Sequence, residues 1–159
     1  DGFILTTFHV TGKRHETVAE RDESLNPIVM MHGQACDATA WVGEGDRRVL
    51  PLPFRLFDRG FDIYLASNRG TKYCQQHKTL NMEQPEYWAW SWAEMGIYDD
   101  VANVKFVAER TGKKVSYLGV SQGTVQMFYA LAKLEKEFFA DHLFTFAALD
   151  PCTISIDEG

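Results

Sequence analysis

Ser121 stands between two glycines, Gly119 and Gly123, at the end of the apolar run 115–118 and the start of a segment with helical spacing from Gln122 to about residue 136. A serine hydroxyl is a poor nucleophile unless it is projected into a cleft beside a base and beside donors for the charge that develops. A sharp turn from strand to helix does the projecting. Such a turn predicts a strained backbone at Ser121. It also predicts glycine at 119 and 123, where side chains would collide with neighbouring backbone. The helix beginning at Gln122 would aim its free N–H groups at the site, where they favour negative charge. This constellation suits acyl transfer with Ser121 as nucleophile.

The second element of such chemistry is a pair of N–H donors for the oxyanion. The main-chain N–H of Gln122, next to the nucleophile, supplies one. His32-Gly33-Gln34 follows the short apolar run 28–31, and in a parallel sheet loops after strands share the carboxyl edge. The N–H of Gln34 is therefore the expected second donor. His32 is a polar residue at a strand end in this reading, and its place in the donor loop argues against its being the base.

A base for Ser121, and an acid to orient that base, are harder to find. His142 is the only histidine after Ser121, and it begins the run 143–149. A strand of that length spans roughly 20 Å, so His142 belongs at the opposite edge. His9 and His15 fall in an edge strand and a charged loop. His77 follows the strand 61–66 and is a weak alternative on the correct rim. Asp150 ends the run 143–149 on the Ser121 rim and could serve as the acid, although an Asp-Pro turn is the better expectation.

These residues need a scaffold of alternating elements. Residues 3–10 read as one edge strand and residues 11–26 as a charged loop. The continuous apolar run 28–31 fits a strand buried on both faces. Residues 52–59 suit a short helix stopped by Gly60, and residues 61–66 the next strand. Ser91 and Glu94 form a capping box that starts a long helix near Trp92, with Ile97, Val101, Val104 and Ala108 as its buried stripe and Gly112 as its stop. After the strand 115–118 comes the helix from Gln122, with Met127, Leu131 and Leu134 on one stripe, then the strand 143–149. Strands alternating with helices predict an α/β fold with a mainly parallel sheet. No repeat or linker divides the 159 residues, so one partial domain over 1–159 is expected.

Composition narrows the function classes. At 45% hydrophobic and 13% aromatic residues the chain suits a packed core. A net charge of −6 without a basic stripe argues against nucleic acid. Cys36, Cys74 and Cys152 are odd in number and lack metal-ligand spacing, so neither a disulfide scaffold nor a metal site is expected. No cofactor motif is present. Trp88, Trp90 and Trp92 could form an aromatic platform for lipid, but the first two precede the capped helix in an extended segment, and packing on the core is the better expectation for them.

In order along the chain come Asp1-Gly2-Phe3-Ile4-Leu5, His32-Gly33-Gln34, Ser67-Asn68-Arg69-Gly70, Tyr87-Trp88-Ala89-Trp90-Ser91-Trp92-Ala93-Glu94-Met95 and Gly119-Val120-Ser121-Gln122-Gly123. This series resembles the acid lipases of the gastric and lysosomal type over nearly the whole chain. Departures are Gln34 for leucine, the reversed order of Ser67-Asn68, Val120 for histidine, and Asp150 for a small neutral residue.

The resemblance implies the N-terminal part of an α/β-hydrolase fold, cut before its cap and last strands. It implies a serine ester hydrolase acting on neutral lipid esters, triacylglycerols or sterol esters, at a lipid–water interface. A secreted or lysosomal location goes with it. In such enzymes the acid and the histidine follow far downstream, so a further C-terminal part or a second polypeptide would be needed, and residues 1–159 alone would be incomplete. The alternative is a non-catalytic lipase-like domain that serves in assembly or binding.

Overall fold

The computed structural model describes residues 1–12, 22–43 and 49–152. Five strands form the central sheet: β2 (Thr7–Val10), β3 (Ile28–Met31), β4 (Ile63–Ala66), β6 (Val115–Val120) and β7 (Leu143–Leu149). Their spatial order is β2-β4-β3-β6-β7. β4, β3, β6 and β7 run parallel, and β2 closes one edge antiparallel to β4. A separate two-stranded pair joins β1 (Phe3–Ile4) to β5 (Gln76–His77). This is the mainly parallel sheet flanked by helices that the sequence predicts.

Alternation along β3 and β4 sorts the core into two layers. Val29, Met31, Tyr64 and Ala66 face one side, where they meet α3 (Val101–Thr111), α4 (Gln122–Lys133) and α5 (Lys136–His142). Ile28, Met30, Ile63 and Leu65 face the other, against Phe57 of α1 (Leu52–Phe57) and Ala38 of a separate 3-10 turn. All four residues of β3 and of β4 are buried, as two covered faces require.

The capping box forms as expected at the start of α2 (Trp92–Glu94). Ser91 Oγ accepts from the Ala93 N–H at 3.2 Å, and Glu94 accepts from the Ser91 N–H at 2.8 Å. The helix then widens into a π-helical turn, Met95–Asp100, before continuing as α3 to Gly112, which ends it at φ 68°. Each widened turn rotates the following face. Val104 and Ala108 are buried as expected, but Asn103 and Val107 share the buried face while Ile97 and Val101 are only half-buried. The turn lets the backbone approach α4: a Cβ on Gly96 would lie 2.5 Å from the Gln126 carbonyl oxygen.

Other boundaries differ from the sequence reading. The expected edge strand 3–10 is two strands in two sheets, because Phe3–Ile4 pairs with β5 and Thr7–Val10 with β4. The helix from Gln122 stops at Lys133, with Leu134 extended, and a separate α5 follows. Met127 is buried on α4, but Leu131 is exposed, and the buried face is completed by Thr124, Gln126 and Ala130. Most of the charged segment 11–26 lies outside the described residues.

Candidate active site

β6 delivers Ser121 to the carboxyl edge of the sheet, and α4 begins at the next residue. Ser121 has φ 50° and ψ −117°, a region that a side-chain-bearing residue enters only under constraint. The constraint is visible on both sides. A Cβ on Gly119 would sit 2.7 Å from the Gly123 carbonyl oxygen, and one on Gly123 would sit 2.8 Å from that of His32 and 3.0 Å from that of Met31. Each obstacle is backbone, so the turn requires glycine at both positions. The Ser121 N–H donates to the Leu149 carbonyl at 3.1 Å, and its carbonyl accepts from the Thr124 N–H and hydroxyl.

The His32-Gly33-Gln34 loop comes directly over this turn. A Cβ on Gly33 would lie 3.2 Å from Ser121 Cβ and 3.7 Å from Ser121 Oγ. Gln34 and Gln122 line the same cleft as Ser121. His32 is buried; its Nδ1–H donates to the Gly33 carbonyl at 2.8 Å, and its Nε2 accepts from the Asn68 N–H at 3.2 Å. Burial lowers its pKa below the ordinary histidine value, so the ring is neutral and both nitrogens are engaged. It fastens the loop after β3 to the loop after β4. Ser67 adds a second fastening by accepting from the Ala38 N–H at 3.0 Å.

Further ties run round the cleft. Arg69 donates to Asp99 from its main-chain N–H at 2.8 Å and from Nε and an outer nitrogen at 2.9 and 2.7 Å, and its other outer nitrogen reaches Asp1 at 2.6 Å. Burial raises the Asp99 carboxyl pKa, against the pull of the Arg69 guanidinium and main-chain N–H. Arg69 also lies over the Phe3 ring at 4.3 Å. Met95 Sδ accepts from the side-chain amides of Gln122 and Gln126, each at 3.3 Å, linking the π-helical turn to the start of α4. None of these ties follows from spacing. Their only trace in the sequence is polar and charged residues inside apolar runs.

The cleft measures about 1230 Å³ and opens to solvent, with Trp90, Trp92, Met95 and Val125 as apolar lining and Gln34, Asp37 and Lys72 among its polar groups. Of the two tryptophans expected to pack, Trp90 is half-buried while Trp88 is 44% exposed, and Trp92 at the start of α2 is 41% exposed. Their rings do make contacts, Trp88 with Tyr87 and Trp90, and Trp92 with Tyr129. A Cβ on Gly70 would strike both Trp88 and Trp90.

No described histidine hydrogen-bonds to Ser121 Oγ, whose neighbour is Cys152 Sγ at 3.7 Å. His142 ends α5 at the opposite edge, stacked on Phe138 and bonded to its carbonyl at 2.8 Å, where the sequence places it. His77 is away from the cleft: it pairs with Phe3 in the small sheet, and its Nδ1 accepts from the N–H groups of Thr79 and Leu80. His9 pairs with Asp62 at 2.6 Å. His15 lies outside the described residues. Asp150 follows β7 in an exposed turn with φ 47°, and Cys152 rather than Asp150 lines the cleft.

No family model matches the chain. Individual relatives do. It is 37% identical over 148 residues to the human lysosomal acid lipase/cholesteryl ester hydrolase, covering 88% of this chain and 36% of that protein. It is 36% identical over 138 residues to lipase member M of Mus musculus, covering 84% of this chain and 31% of that one. Triacylglycerol lipase 2 of Arabidopsis thaliana is 33% identical over 152 residues, covering 95% and 35% respectively. Among solved structures, the mature Bacillus licheniformis lipase BlEst2 superposes with a TM-score of 0.59 at 15% identity, over 92% of this chain and 46% of that one, which speaks for the fold alone. The chain spans about a third of the length of these curated relatives. On this fold and these relatives, it is part of an α/β-hydrolase domain and is similar to acid lipases over most of its length.

Proposed function

We propose that this chain is the nucleophile-bearing part of a carboxylic ester hydrolase for neutral lipid esters, triacylglycerols or sterol esters. The observation that carries this is the strained Ser121 at the carboxyl edge, closed over by the Gly33 loop. Holding a serine at φ 50° between two obligatory glycines costs stability and has a clear use in presenting a nucleophile. The apolar side of the cleft, with Trp90, Trp92, Met95 and Val125, suits an acyl chain. The names of the relatives point to the same substrate class.

In this reading Ser121 Oγ attacks the acyl carbonyl while a base takes its proton. The N–H groups of Gln34 and Gln122 hold the oxyanion. Collapse of the tetrahedral intermediate leaves an acyl-enzyme and releases the alcohol, and water resolves the ester by the same steps. The base and its orienting acid come from protein outside the described residues, either further along the polypeptide or on a second one. A secreted or lysosomal route accords with the relatives.

The test is hydrolysis of a short-chain ester and of a triacylglycerol emulsion by the intact protein. Ser121→Ala should remove turnover by several orders of magnitude with folding intact. Equal activity in this variant would remove Ser121 from the chemistry, and a folded wild type inert to both substrates would favour a non-catalytic lipase-like domain.

A further inference from the structure

Asp100 closes the π-helical turn with its side chain fully buried, and neither carboxyl oxygen receives a hydrogen bond. The carboxyl faces the hydroxyl of Tyr117, which is equally buried in β6. Tyr117 has one proton to give, and it goes to the Gly123 carbonyl at 3.0 Å. Gly123 is the glycine wedged against the His32 and Met31 carbonyls. The edge of the Tyr117 ring lies 3.0 Å from where a Gly119 Cβ would be. Tyr117 therefore braces both glycines that flank Ser121, and Asp100 stands behind Tyr117.

An ionised Asp100 would be a charge without a donor in a dry interior, a costly arrangement. Turning the Tyr117 proton toward it would break its hydrogen bond to the Gly123 carbonyl. One arrangement satisfies the contacts at Tyr117: a protonated carboxyl donates to Tyr117 Oη, and Tyr117 donates onward to Gly123. We propose that Asp100 is a positioning residue for Ser121, a neutral acid that orients Tyr117 and through it the turn carrying the nucleophile.

The proposal rests on the hydrolase reading above. Burial pushes the Asp100 carboxyl well up from the ordinary aspartate value, and adjacent Asp99 pushes the same way. Among the described residues the titratable groups that bear on it are Asp99, itself tied to Arg69, and Tyr117 from β6.

The experiment compares wild type, Asp100→Asn, Asp100→Leu and Tyr117→Phe in the intact protein. It follows thermal unfolding, kcat and KM for a short-chain ester, and the rate of fluorophosphonate labelling across pH. Asp100→Asn keeps a donor toward Tyr117 and should stay within a few-fold of wild type, while losing the fall in labelling that wild type shows as Asp100 ionises. Asp100→Leu and Tyr117→Phe should label about tenfold more slowly with KM little changed, because the brace behind the nucleophile is gone. Asp100→Leu should do so without a lower melting temperature, since apolar replacement of a buried unpaired acid is tolerated.

Labelling of Asp100→Leu at the wild-type rate would overturn the positioning role, as would Asp100→Asn proving no better than Asp100→Leu. A folded wild type that never labels would instead overturn the hydrolase reading, and the positioning role with it.

Discussion

A Cβ placed on Gly33 would lie 3.2 Å from the Ser121 Cβ, so the loop after β3 touches the turn after β6 with no atom to spare. In the proposed mechanism this contact positions the Gln34 N–H relative to the serine hydroxyl. Gly33→Ala should fold, because the excess is a few tenths of an ångström. It should slow ester turnover by about ten- to a hundredfold through misplacement of the oxyanion donor. Steady-state kinetics should show the loss in kcat more than in KM. Unchanged kcat would mean that the loop plays no part in the chemistry.

Gly123→Ala meets a harder obstacle, the main-chain oxygens of His32 and Met31 at 2.8 and 3.0 Å. Relief requires α4 to move away from β3, which should cost about 1–3 kcal/mol. Gly112→Ala is the comparison, with open space around it but φ +68°. It should cost about 1 kcal/mol through backbone strain and leave Ser121 chemistry unaffected. Urea unfolding of the two variants beside wild type separates the effects.

Much of this was legible in sequence because it depends on local rules. The capping box at Ser91 and Glu94, the stop at Gly112 and the turn at Ser121 each need only residues within a few positions. The split of residues 3–10 could not be read, since nothing local tells Phe3 to pair with His77 and Thr7 with Ala66. The π-helical turn escaped for the same reason, being set by the fit of Gly96 against the Gln126 backbone. Asp99 and Asp100 did leave a signal, two adjacent acids inside the stripe from Ile97 to Ala108. Periodicity scores such residues as a break in the face, and only coordinates show that both are buried beside the site.

Arg69 and Asp99 are 2% and 1% exposed, so removing one partner strands a charge in the interior. Arg69→Ala should destabilise by about 3–5 kcal/mol. Arg69→Lys should recover little, because a lysine cannot reproduce the paired Nε and outer-nitrogen contacts to Asp99. The double variant Arg69→Met/Asp99→Leu should be less damaged than Arg69→Ala. Denaturant midpoints decide the order, and a double variant worse than the single would contradict it.

Stability should depend on pH through Asp100. The folded carboxyl holds its proton to higher pH than the unfolded one, whose value is near 3.8. Its contribution is fully present below that value and is lost as pH rises through the folded value. His32 works in the opposite sense: its lowered folded pKa makes its contribution present above about 6.5 and lost as pH falls. Asp100→Asn removes the first effect and keeps the second. Wild type should therefore lose stability relative to Asp100→Asn as pH rises from 4 toward neutrality and beyond. A constant difference across that range would show that Asp100 titrates alike in the folded and unfolded states.

Covalent mapping identifies the nucleophile, proposed to be Ser121. The intact protein is treated with a fluorophosphonate, digested, and the modified peptide sequenced by mass spectrometry. A single adduct on Ser121 is expected, absent from a folded Ser121→Ala variant. Modification at another serine, or a folded protein that stays unmodified while hydrolysing esters, would contradict it.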